Sequence, residues 1–296
     1  MKLALLFVAL TLLVGTLPTS AQQNPAPVQP EILKIPMKSG SAFGGGVDMV
    51  THLYKPNGNG PFPVVIFSHG RSGERDKRWH LKAPVLNGHG NFWLRKGFAV
   101  VASVRPGYGD TGGVDREASG ATGSGSACGG TPDYFRVARF AGEAVLTTME
   151  WLKSQPWSNN DKILLVGQSV GGLTTIGVAA TNPNGVIGAI NFAGGFGGAP
   201  HATPGRSCQP DKLTALFGEF GKTIKAPSLW LYAENDLYWP AEAPKEWHQA
   251  FAAGGSKTKF VMTPALTGTD DGHNLLAVGG RMWSPHVNDF VKELGF

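Results

Sequence analysis

Residues 163–172, Ile163-Leu164-Leu165-Val166-Gly167-Gln168-Ser169-Val170-Gly171-Gly172, decide the fold. Four consecutive aliphatic residues suit a short strand covered on both faces. A G-x-S-x-G pattern follows at once, and the small-residue run Gly171–Ala180 then reads as a helix. In a chain with 42 glycines the five-letter pattern alone says little. The strand before it and the helix after it say far more. A strand-to-helix elbow of this kind places the serine in a strained backbone conformation, with its hydroxyl lifted above the sheet. Gly167 and Gly171 remove the side chains that would collide in so tight a turn, and Gly172 leaves room for the helix to cross close to its neighbours.

Outward from the elbow, short β-like runs alternate with helix-like runs. Residues 31–37 and 47–54 read as an opening pair of strands. Continuous apolar runs at 63–68, 98–104, 162–166, 186–192, 228–232 and 259–262 suit the strands of a mostly parallel sheet. Helical spacing falls between them. Residues 91–96 end a helix at Gly97, 135–154 carry Val137, Phe140, Ala144, Val145, Thr148, Met149 and Leu152 on one face, and 243–253 and 284–294 supply the last two. This alternation implies an α/β domain with right-handed crossovers, a central sheet flanked by helices. No repeat or second linker is visible, so residues 31–296 form one expected domain.

A serine hydroxyl is a weak nucleophile until a base removes its proton. With the elbow in this setting, the chain resembles the α/β-hydrolase superfamily, and within it the dienelactone-hydrolase-like esterases, from about Glu31 to the C-terminus. The dienelactone hydrolases proper carry cysteine at the elbow, so Ser169 argues against dienelactone itself as substrate. Haloalkane dehalogenases and epoxide hydrolases of this fold carry aspartate there, and serine argues against both.

The resemblance implies the chain order serine, acid, histidine. Asp236, at a loop tip after the run 228–232, fits the acid, and Leu237-Tyr238-Trp239-Pro240 after it resembles the family's acid loop. Glu234 and Asp211 are its rivals. His273, in Asp270-Asp271-Gly272-His273-Asn274 between the last strand and the C-terminal helix, fits the base. His286 lies inside the expected final helix, and His248 precedes the last strand.

The resemblance also implies an oxyanion hole made by the amide of Val170 and a second amide from the loop after the early strand, Ser68-His69-Gly70-Arg71-Ser72-Gly73. The His-Gly-x pattern assigns that donor to Arg71, whose side chain is expected in solvent. His69 is expected to bond within the loop. Arg105-Pro106-Gly107-Tyr108-Gly109-Asp110-Thr111-Gly112 reads as a structural turn in which Asp110 caps backbone amides. No long helical insertion is expected between about 192 and 227, hence no large lid and a fairly open pocket. Trp230, Tyr238 and Trp239 are candidates to line it.

The N-terminus has its own signature. Lys2, an apolar run from Leu3 to Leu17 and the small residues Thr19-Ser20-Ala21 read as a signal peptide cleaved after Ala21. The run is shorter than the roughly 20 residues that span a bilayer. Residues 22–30, rich in Gln, Pro and Ala, read as a flexible segment. Export to the periplasm or the medium would allow the only two cysteines, Cys128 and Cys208, to pair.

Composition narrows the partners. Hydrophobic residues make up 42% of the chain and charged residues 16%, enough to fill a large core. A net charge of +5 without a long basic cluster gives no nucleic-acid surface. The eight histidines lack metal-ligand spacing. The expectation is a secreted serine hydrolase without metal or cofactor, cleaving carboxylic esters of a small-molecule, plant-derived or polymeric substrate through an acyl-enzyme. A peptidase or amidase of the same fold is the alternative, and an inactive binding protein a more distant one.

Overall fold

A computed structural model describes residues 28–38, 45–84, 89–123 and 127–296. The expected signal peptide, residues 1–21, and most of the segment 22–30 lie outside the described residues.

Eight strands form one sheet in the spatial order β1-β2-β4-β3-β5-β6-β9-β10. They are β1 (Glu31–Lys38), β2 (Gly46–Tyr54), β3 (Phe62–Ser68), β4 (Ala99–Ser103), β5 (Ser158–Gln168), β6 (Val186–Phe192), β9 (Ser228–Ala233) and β10 (Thr258–Thr263). β1 and β2 pair antiparallel, and β2 meets β4 antiparallel. From β4 to β10 every pairing is parallel. Two short strands, β7 (Gly198–Ala199) and β8 (Thr203–Ser207), form a separate antiparallel hairpin.

The central strands carry continuous buried apolar runs, Val64–Phe67 in β3 and Ile163–Val166 in β5, because both faces of the sheet are covered there. Successive side chains point to opposite faces. Val64, Ile66, Ile163 and Leu165 therefore join one core, and Val65, Phe67, Leu164 and Val166 the other. The first core lies under α3 (Tyr134–Leu152), α4 (Val170–Ala180), α5 (Pro210–Thr223) and α6 (Ala243–Ala252). The second lies under α2 (His89–Leu94), α7 (Leu275–Val278) and α8 (Gly280–Glu293). A short helix, α1 (Arg75–Trp79), precedes α2. Asp133 starts α3 by accepting the Arg136 amide at 2.8 Å, satisfying one of the donors orphaned at a helix N-terminus.

The stretch between β6 and β9 departs from expectation. It contains the hairpin β7–β8 and the 14-residue helix α5. Leu213, Phe217 and Phe220 recur at i, i+4 and i+7 and are buried against α6 and Trp230. α5 is thus a crossover helix of the core, not a lid. Cys128 and Cys208 form a disulfide that ties the loop before α3 to the end of the hairpin.

Candidate active site

Ser169 sits between β5 and α4 with φ 58° and ψ −125°, a left-handed conformation that a non-glycine residue adopts at an energetic cost. The surroundings over-determine it. Its amide donates to the Phe192 carbonyl at 2.9 Å, and its carbonyl accepts from Gly172 and Leu173. A Cβ added to Gly171 would stand 2.0 Å from the Ser68 carbonyl oxygen, and one on Gly167 would stand 2.1 Å from that of Gly171. The elbow closes this tightly only because both positions are glycine.

Asp236 and His273 meet beside it. His273 Nδ1 lies 2.9 Å from Asp236 Oδ2, and both side chains are buried. The other carboxylate oxygen accepts the Tyr238 amide at 2.8 Å. The carboxylate accepts, so Nδ1 carries the proton of this bond and, in the neutral ring, Nε2 is the acceptor. That Nε2 is buried and has no hydrogen-bond partner among the described residues. Gln168, next to Ser169, donates its side-chain amide to the His273 carbonyl at 3.0 Å, which holds the histidine turn against the elbow.

Asp271 welds the two loops together. Its Oδ1 accepts the amides of His273 (2.9 Å) and Leu237 (3.1 Å). Sequence reasoning did not single it out, although aspartate two residues before a turn residue is the signature of such a bond. Tyr238 stacks on the His273 ring at 3.8 Å and 23°, and Trp239 meets it edge-on at 5.4 Å. Trp230 has another place. It is fully buried beneath α5 and α6 and belongs to the core.

The rivals are placed elsewhere. Glu234, Asp211 and His286 are exposed, and His248 packs on Trp230 and bonds Thr258.

The loop after β3 lies against the elbow. A Cβ on Gly70 would stand 3.2 Å from the Ser169 Cβ. Among the described residues the amides of Arg71 and Val170 have no acceptor. The Arg71 side chain corrects the expectation of solvent exposure. It is 10% exposed and grips Asp115 with two bonds, at 2.8 and 2.7 Å. Burial alone would lower its pKa, but the Asp115 hydrogen bonds and the surrounding carboxylates raise it further above the ordinary guanidinium range. Asp110 likewise does not cap the turn. It is exposed and pairs with Lys82 at 2.8 Å, while Thr111 Oγ1 accepts the Val50 amide and donates to the Val104 carbonyl. Among the described residues no cluster of His, Cys, Asp or Glu is arranged to hold a metal.

The sequence matches the family model of the X-Pro dipeptidyl-peptidases (S15 family) over residues 45–217, more than half of the chain. The chain belongs to the S15 family. The S15 match contains Ser169 and the loops before it, and ends ahead of Asp236 and His273. Solved structures share the fold. The esterase Pf2001 of Pyrococcus furiosus superposes with a TM-score of 0.56 at 14% identity, over 90% of this chain and 92% of that one. A Klebsiella pneumoniae protein assigned as a dienelactone hydrolase gives 0.52 at 16%, over 87% and 98%. The acylaminoacyl peptidase of Pyrococcus horikoshii gives 0.54 at 16%, over 84% of this S15 chain but only 39% of its own. No curated protein matches the sequence. The α/β-hydrolase fold expected from the elbow is the fold observed.

Proposed function

We propose that the protein is an exported serine hydrolase that cleaves carboxylic esters through an acyl-enzyme. The observation that carries the reading is His273, bonded to Asp236 through Nδ1 and presenting a buried, unpartnered Nε2 at the elbow that displays Ser169. In this reading His273 Nε2 takes the Ser169 proton as the oxygen attacks an ester carbonyl. Asp236 holds the tautomer and stabilises the imidazolium that forms. The amides of Arg71 and Val170 receive the oxyanion, a contribution of about 2.7–4 kcal/mol per donor. The imidazolium then protonates the leaving alcohol, and water activated by the same histidine releases the acid.

Support for an ester over an amide comes from the fold comparisons. The Pf2001 esterase is matched along 92% of its chain, the acylaminoacyl peptidase along 39%. Membership of the S15 family favours the second reading, release of X-Pro dipeptides. Two substrates separate them. Turnover of p-nitrophenyl acetate with none of Ala-Pro p-nitroanilide supports the esterase, and the reverse assigns the peptidase. Export rests on the N-terminal signature and agrees with the Cys128–Cys208 disulfide, which persists in oxidising compartments. No helix among the described residues is long and apolar enough to cross a membrane.

A further inference from the structure

Arg105 lies two residues after the end of β4, and its side chain is 2% exposed. Burial alone would lower its pKa, but the adjacent Glu117 more than offsets this and keeps the guanidinium charged. Nε donates to Glu117 Oε1 at 2.6 Å and Nη2 to Oε2 at 3.2 Å. The remaining donors reach the loop beside Ser169. Nη1 donates to the His69 carbonyl at 2.6 Å and Nη2 to the Gly70 carbonyl at 3.3 Å. The backbone amide of Arg105 donates to His69 Nε2 at 3.1 Å. His69 Nε2 is therefore an acceptor, and Nδ1 carries the proton that goes to the Gly70 carbonyl at 2.7 Å. Burial first, and then the charge of Arg105, hold the His69 pKa well below its usual range, so the ring stays neutral.

Two donors thus converge on one carbonyl. In a planar trans peptide the Gly70 C=O and the Arg71 N–H point in opposite directions. Fixing the carbonyl toward Arg105 fixes the amide away from it. Gly70 packs against Ser169, and the Arg71 amide has no acceptor among the described residues. Glu117 is itself held, since it accepts from the Tyr108 hydroxyl at 2.6 Å. Stability gives no reason for this expense. An ion pair so deeply buried is costly to desolvate, and well-packed apolar residues often stabilise a core as well.

We propose that Arg105, held by Glu117, is a positioning residue for the oxyanion hole: it locks the Gly70–Arg71 peptide so that the Arg71 amide faces the charge developing on the substrate carbonyl. Donors fixed before the reaction need no reorganisation when the charge appears, and this is the source of their effect. The inference rests on the serine-hydrolase reading above.

The test uses Arg105→Lys and Glu117→Gln in the full chain, with p-nitrophenyl acetate as substrate. Rates are expressed per Ser169 titrated to completion with a fluorophosphonate, so that misfolded protein drops out. The expected result is a kcat reduced by roughly 10²-fold with KM within about threefold, because the lost interaction belongs to the transition state. Affinity for an alkylboronic acid, which forms a tetrahedral adduct, falls in parallel. If Arg105→Lys yields too little protein, Glu117→Gln carries the same comparison with less change of volume. A kcat per site within about twofold of the parent, or a loss confined to the yield of titratable Ser169, overturns the proposal and leaves the hydrolase reading intact. A parent protein that neither labels nor turns over removes both.

Discussion

The two sides of Ser169 are built from opposite materials. On the oxyanion side, Arg71, Arg78 and Arg105 interlock with Asp115 and Glu117 through bonds and ion pairs of 2.6–3.7 Å. On the base side, His273 has one carboxylate partner and is otherwise enclosed by Tyr238 stacked at 3.8 Å and Trp239 at 5.4 Å. The difference fits what each side would do in the proposed mechanism. Oxyanion donors act as fixed dipoles and gain from not moving. A base gains and loses a proton twice in every cycle. Aromatic faces tolerate the neutral ring and attract the imidazolium, without a dense set of fixed charges that would favour one state. Rigidity is placed where a dipole must wait, and polarisable packing where a charge must come and go.

Breaking the centre that both sides serve has the largest effect. Ser169→Ala lowers kcat on p-nitrophenyl acetate by roughly 10⁶-fold, to the level of the residual site. On the base side alone, Asp236→Asn keeps the shape but loses the tautomer, and kcat falls by roughly 10⁴-fold. On the oxyanion side, Gly70→Ala drives a methyl to 3.2 Å from the Ser169 Cβ and pries the loop from the elbow. The expected loss in kcat is about 10–10²-fold, or about 1.4–2.7 kcal/mol of barrier, measured in steady state.

Smaller changes sharpen the contrast. Cys208→Ser cuts the tie between the loop before α3 and the β7–β8 hairpin, which joins the base side where the Gly205 amide donates to the Leu237 carbonyl at 2.7 Å. Stability falls by about 2–4 kcal/mol in urea titration while kcat changes little. Two buried histidines away from the base respond to acid. His69 and His89 are pushed below the ordinary 6.5 by burial, and His89 reaches about 4. The unfolded chain then binds protons first, so their contribution is complete above about pH 6.5 and is lost as pH falls toward the folded values. The melting temperature drops between pH 7 and pH 5, and His89→Leu reduces the drop.

The parts legible in the sequence were those written locally. Ser169, Asp236 and His273 each end a strand or open a turn with its own residue signature, and the apolar runs before them mark the sheet. α5 was missed because Gly218 and Gly221 dilute its helical propensity, although Leu213, Phe217 and Phe220 keep the period. The Arg105–Glu117 pair was invisible for another reason. Arg105 acts on His69 and Gly70, residues of another loop brought alongside only by the parallel pairing of β3 with β4. A surface reading of Arg71 is the default for arginine, and only the fold reveals Asp115 and Tyr108 waiting for it. Asp110 looked like the cap of its turn, yet Thr111, one residue on, makes the buried bonds.

The central claim is that Ser169 is an activated nucleophile. Incubation of the purified protein with a fluorophosphonate, followed by peptide mapping in the mass spectrometer, tests it most directly. The account predicts one adduct, on Ser169, absent in Ser169→Ala and slowed at least a hundredfold in His273→Ala, in keeping with the usual contribution of a general base. A folded protein that stays unlabelled, or that is labelled equally well after Ser169→Ala, contradicts it.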